Sequence, residues 1–151
     1  MSNNQKTRAV GRRNGENVRE LTITVPMPPR ELSPNGYTRR RAHIAAKVAA
    51  REDAQTKARQ AIILWQRAHK TSWQPIEGAV LVSALFIVGT GRRRDRDNAI
   101  ASLKSTLDGF TRAGIWRDDS QVEWGTVNWF KQASWLPEVV ITIKDTEGGY
   151  S

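Results

Sequence analysis

Residues 79–88 read AVLVSALFIV, a nearly unbroken apolar run of β-branched and aromatic side chains. Its length suits a central strand buried on both faces of a sheet. Gly89-Thr90-Gly91 ends it, and a helix follows from about Asn98 to Ala113. Ile100, Leu103, Leu107 and Phe110 recur at helical spacing and form its core stripe, and Gly114 fits its C-cap. Upstream, Leu21, Ile23 and Val25 alternate with Thr22 and Thr24, the pattern of a half-buried strand. Pro26-Met27-Pro28-Pro29 stops that strand, and Ser33-Pro34-Asn35-Gly36 is a turn signal. From Thr38 to Lys70 there is neither Gly nor Pro and Ala is frequent, which predicts one long helix or two with a break. Downstream, Val122 and Trp124 share one face, and the alternation restarts after Gly125 with Val127 and Trp129. That change of phase predicts a strand with a bulge near Gly125. Val139, Ile141 and Ile143 mark a last strand, joined to the previous one by a hairpin through Ser134–Pro137. The order is β-α-β-α-β-β, and the economical architecture is α+β, a small mixed sheet with two helices packed on it.

The chain has 151 residues, one domain's worth. Residues 1–18 read as a flexible basic arm, 19–144 as a single domain and 145–151 as a frayed tail. Lys and Arg number 24 against 15 Asp and Glu, for a net charge of +9. The positive charge is concentrated before position 117, and the rest is mildly acidic. Cysteine is absent, which excludes disulfide scaffolds, zinc ribbons and thiol catalysis and fits a reducing, cytoplasmic interior. No apolar run approaches the ~20 residues that span a membrane, and the polar N-terminus does not read as a signal peptide. A basic chain of this kind points first to nucleic acid as partner.

The densest chemical signal is Arg92-Arg93-Arg94-Asp95-Arg96-Asp97-Asn98, between the central strand and the helix. In an extended backbone Asp95 and Asp97 point the same way, and their mutual repulsion invites a cation between them. A hard divalent ion takes such oxygens, and Mg²⁺ keeps several waters beside them. Helix capping by Asp97 and pairing of Asp95 with an arginine are the structural alternatives. Of the neighbouring Asp118 and Asp119, side-chain divergence leaves room for only one in a site. Lys104 is seven residues after Asp97, so on one helix the two share a face, and its ammonium leans back toward the acidic pair. There it would contact a phosphate or a leaving oxygen. The alternative is a pair with Asp108, worth only ~0.2–0.5 kcal/mol. Arg40, Lys47 and Arg51 share a helical stripe that either follows a DNA backbone or is a solvated face. His43 and His69 have no partner at metal-ligand spacing, and Gly89-Thr90-Gly91 matches no nucleotide-binding loop, so no nucleotide cofactor is expected. Trp65, Trp73, Trp116, Trp124, Trp129 and Trp135 read mostly as core or subunit-interface residues, with one or two available to stack on bases.

Taken in order, GRRRDRDN and LKSTLDGFTRAGIWRDDSQV resemble the RusA-type Holliday junction resolvases and their phage relatives, most clearly over residues 85–124. The N-terminal PMPPRELSPNGY is more distantly similar to the family's proline-rich turn. The resemblance implies a homodimeric, Mg²⁺-dependent endonuclease, with Mn²⁺ a possible substitute, that cuts four-way DNA junctions symmetrically in recombination and repair. It implies that Asp95, Asp97 and Asp119 bind the metal and that Lys104 is the essential lysine. Arg92, Arg93, Arg94 and Arg96 then hold the DNA backbone. Three extra residues within Ala99-Ile100-Ala101 separate the acidic pair from the lysine, a displacement of ~4.5 Å along a helix. A 16-residue helix is ~24 Å long, whereas the six residues from its end to Asp119 reach at most ~20 Å. Either the chain folds straight back or Asp119 completes the other subunit's site, and spacing leaves both open. Two other functions stay in play, a non-catalytic basic DNA-binding protein and a nuclease for other branched DNA.

Overall fold

A computed structural model describes residues 10–13, 16–32, 41–89, 95–133 and 136–146. The elements run β1 (Val10–Arg13), β2 (Glu16–Pro26), α1 (Arg41–His69), β3 (Val80–Val88), α2 (Arg96–Ser102), α3 (Lys104–Arg112), β4 (Val122–Lys131) and β5 (Glu138–Asp145). The architecture is α+β, with a mixed sheet in the order β2-β5-β3-β4 and β1 added to β2 as an antiparallel hairpin strand. That hairpin takes in residues whose composition suggested an arm. Residues 1–9 and 147–151 lie outside the described residues.

Two expectations about the sheet are corrected. β4 and β5 do not form a hairpin: β4 pairs with β3 in parallel, and β5 lies antiparallel between β2 and β3. The helices between β3 and β4 supply the long crossover that a parallel pair needs. β3 is also buried on one face only. Val80, Val82, Ala84 and Phe86 are buried, whereas Leu81, Ser83, Leu85 and Ile87 between them are half-buried. The helices pack on the first face, where Leu21, Ile23, Val25, Val139, Ile141 and Ile143 join the core. Phe130, whose register partner is Ile87, is exposed on the second face. A continuous apolar run does not reveal how many of its faces are covered.

The bulge is where the alternation puts it. Val82 pairs with Trp124 and Ala84 with Val127, so β4 spends one extra residue opposite Ser83. A side chain at Gly125 would place its Cβ 2.7 Å from Ser83 Oγ, so glycine lets the slip form without moving Ser83.

α1 is a single helix of 29 residues, ~43 Å long. Ala50, Ala54, Ala58 and Ile62 recur every four residues and are buried. Gly109 of α3 lets the two helices approach, since a Cβ there would lie 2.8 Å from Ala58 Cβ and 2.7 Å from the Gln55 carbonyl oxygen. The second helical segment begins at Arg96, and it is not continuous. Leu103 (φ −93°, ψ 0°) breaks it into α2 and α3 while staying fully buried. Gly114 (φ 84°) closes α3 as expected, with Ile115 N–H donating to the Phe110 carbonyl and Gly114 N–H to that of Thr111. No described helix is long and apolar enough to cross a membrane.

Candidate acidic site on two turns

Asp95 is the N-cap of α2: its backbone is extended (φ −65°, ψ 140°) and its carbonyl accepts from Ala99 N–H at 3.0 Å. Its carboxylate makes no capping hydrogen bond. A capping aspartate contributes roughly 0.5–2 kcal/mol, so here that stabilisation is forgone and the carboxylate is left for another use. Asp97 lies in the first turn of α2 rather than on an extended run. The expectation that the two aspartates project together from a strand-like segment is therefore corrected, because the helix starts between them. Both are exposed, and neither is paired with a described residue. The helix N-terminus favours negative charge here by roughly 0.3–1 kcal/mol.

Arg96, between them, donates from Nη2 to the Gly125 carbonyl at 3.0 Å. The acidic turn is thus tied to the bulge in β4.

The second turn precedes β4, and it separates the two neighbouring aspartates. Asp118 caps a short 3-10 turn over Asp119–Gln121, accepting from Ser120 N–H at 2.9 Å, and hydrogen bonding from the Ser120 side chain and then its backbone lowers the Asp118 pKa. Asp119 is exposed and has no such bond with a described residue. Gln121 fastens the turn. Its Oε1 accepts from Arg117 N–H and Asp118 N–H at 2.8 and 2.7 Å, and its Nε2 donates to the Ile76 and Gly78 carbonyls at 2.9 and 2.7 Å. Arg117 adds a two-pronged contact to one oxygen of Glu77, with Nε at 3.0 Å and Nη2 at 2.7 Å. That contact lowers the Glu77 pKa. Sequence reasoning missed Gln121, whose partners at residues 76 and 78 lie in a distant segment with no recognisable motif.

Lys104 is the first residue of α3, exposed and unpaired with Asp108. Leu103 interrupts the helix between them, so Asp97 and Lys104 stand on two successive helical segments rather than on one. Arg40, Arg92, Arg93 and Arg94 lie outside the described residues. Lys47 is half-buried and Arg51 exposed, one turn apart on α1. His69 stacks on Trp65 at 4.2 Å, and its Nδ1 lies 2.9 Å from the Trp65 carbonyl, whereas the His43 side chain is outside what is described. Trp116 is buried; Trp65, Trp73, Trp124 and Trp129 pack against the core; Trp135 lies outside the described residues.

Oxygen donors on exposed, uncommitted carboxylates suit a hard divalent cation, and Mg²⁺ is held by one or two of them with water and substrate oxygens completing its shell. The Asp95–Asp97 pair fits that requirement. Among the described residues, no three His, Cys, Asp or Glu side chains come together as a metal-ligand group.

A family model described as Endodeoxyribonuclease RusA matches residues 31–144, a span holding both acidic turns and every element from α1 to β5. A comparison with curated proteins found no match.

Proposed function

The chain belongs to the RusA endodeoxyribonuclease family, and from that premise we propose that it is a metal-dependent, structure-selective nuclease that resolves four-way DNA junctions by paired, symmetric cleavage. The observation that carries the proposal is the N-cap carboxylate of Asp95, which does not cap its own helix and stands two residues from Asp97, neither of them having a partner among the described residues.

In this reading Asp95 and Asp97 hold Mg²⁺, which Mn²⁺ can replace, and Asp119 completes the set. When bound, the cation supplies positive charge at the phosphate and makes water a competent nucleophile at neutral pH. The protein holds the phosphorus in line between water and the 3′-oxygen. The water oxygen–phosphorus bond forms as the phosphorus–O3′ bond breaks, leaving a 5′-phosphate and a 3′-hydroxyl. Lys104 Nζ, exposed at the start of α3, neutralises charge on the departing oxygen. Arg92, Arg93 and Arg94 grip the backbone, as do Lys47 and Arg51, so affinity falls with salt.

Two symmetric nicks require two related sites, and a C2 homodimer supplies them with one kind of interface. Asp119 completes each site either from the same chain or, across that two-fold axis, from the partner subunit. Mixing Asp97→Asn and Asp119→Asn subunits tests this. A shared site gives a heterodimer with one intact centre and one doubly changed centre, hence a single nick. A site within one chain gives a heterodimer that does not cut.

The function itself is tested on labelled four-way junctions, forks and flaps with Mg²⁺ or EDTA. Metal-dependent, paired incision of the junction is expected. Asp97→Asn should bind junction DNA as the parent does and cut it at least about a hundredfold more slowly, since even partners of metal ligands are worth about 10–100-fold. A shifted but uncut band with the parent protein would identify a binding protein instead, and faster cutting of flaps would reassign the substrate.

A further inference from the structure

Arg96 stands in a run of four arginines and aspartates, where charge alone reads it as a phosphate contact. Its observed partner is the protein's own backbone. The bulge in β4 sets two residues against one of β3, which takes a backbone group out of the ladder. The Gly125 carbonyl at that bulge accepts the Arg96 guanidinium at 3.0 Å. Gly125 packs closely on β3, since a Cβ there would lie 2.7 Å from Ser83 Oγ and 3.3 Å from Leu81 Cδ1. Arg96 is the first residue of α2, with Asp95 before it and Asp97 after it. The same strand begins directly after the turn that carries Asp119. Gly125 is therefore a common anchor: one acidic turn reaches it along the chain, the other through the Arg96 side chain.

We propose that Arg96 is a positioning residue, which sets Asp95 and Asp97 against β4 and so fixes the geometry in which they hold the metal, and that it does not contribute a phosphate contact. This rests on the metal-dependent nuclease reading above. An unanchored pair still presents two carboxylates, but in more than one arrangement, and the cation then has to order them as it binds. The guanidinium acts on the metal through backbone placement alone, so its removal leaves DNA affinity in the absence of metal untouched.

The experiment uses the full chain and two variants, Arg96→Met and Gly125→Ala. Mn²⁺ affinity is measured without DNA by electron paramagnetic resonance of the free ion. Junction affinity is measured in EDTA over a range of salt. Thermal unfolding confirms that each variant is folded. Arg96→Met should weaken Mn²⁺ binding about tenfold, in the range found for residues that orient metal ligands. Its junction affinity in EDTA and the slope of log affinity against log salt should match the parent. Gly125→Ala, which removes no charge, should weaken Mn²⁺ binding in the same direction. If Arg96→Met instead lowers the salt slope by about 0.9, the loss of one phosphate contact, the positioning role is refuted, and so it is if Mn²⁺ binding is unchanged. A parent protein that binds no Mn²⁺ and cuts no DNA sinks the nuclease reading itself, an outcome visible before any variant is made.

Discussion

The two acidic turns are built differently. Among the described residues, the turn at Asp95–Asp97 is attached to the sheet by one side-chain bond, from Arg96 to a bulge carbonyl. The turn at Arg117–Gln121 is fastened by four bonds to Gln121, one to Asp118 and the Arg117–Glu77 contact. In the second turn the side chains of Arg117, Asp118 and Gln121 are committed to structure, whereas the Asp119 carboxylate has no partner among the described residues. In the first turn neither carboxylate has a partner among the described residues, and the fastening among them is sparse. One half of the candidate site is held rigid before anything binds, and the other is left with freedom that a ligand must remove. A lone bond places a turn, whereas a closed ring of bonds makes it stiff.

The strongest way to break this comparison is Gln121→Ala. It strips two carbonyls and two N–H groups of their partners in a half-buried setting, and each unsatisfied group costs about 1–3 kcal/mol where water cannot replace the partner. A fall of several degrees in the melting midpoint is expected from calorimetry, against almost none for Arg96→Met. Equal falls would erase the contrast. Next in size, hydrogen exchange should be slower at the amides of Asp118 and Gln121 than at the first amides of α2, which have no carbonyl partners within their helix. Glu77→Gln is smaller still. Its partner is an exposed arginine, and such pairs contribute little, so the melting midpoint should be nearly unchanged while exchange at residues 117–121 quickens. The smallest effect is that of pH. Glu77 is lowered by hydrogen bonding from Arg117, and Asp118 by hydrogen bonding from Ser120. A depressed carboxylate adds stability that is fully present above its unfolded value and is lost as pH falls through its folded one. Acidification through and below the ordinary carboxylate range should therefore loosen the second turn, seen as faster exchange there.

Much of the fold was legible in local patterns. The strand at β3, the phase slip at Gly125 and the glycine closing α3 each follow from spacing that one stretch of chain dictates by itself. What failed was non-local. A short gap between β4 and β5 resembles a hairpin, yet β5 takes the place between β2 and β3, where its residues Val139, Ile141 and Ile143 become buried. The break at Leu103 carried no Gly or Pro to announce it. In the candidate site, residue types and order pointed to Asp95, Asp97 and Asp119. The structure adds which of Asp118 and Asp119 is committed to a cap. It also adds two side chains, Arg96 and Gln121, whose partners no spacing could identify.

The placement of β5 also bears on how the molecule is made. β2 and β3 touch no common neighbour in the sheet except β5, the last of the strands in sequence. During translation the helical crossover and its parallel pair can form early, and β2 can pack on α1, but the inner edge of β2 has no strand beside it until β5 is made. That strand then inserts and closes the sheet, with the buried Asp145 at its end meeting Arg19 of β2 at 3.8 Å. Nascent chains halted before residue 138 should hold β2 and β3 as strands with no shared neighbour, and the sheet on which both acidic turns are mounted closes only once β5 is made.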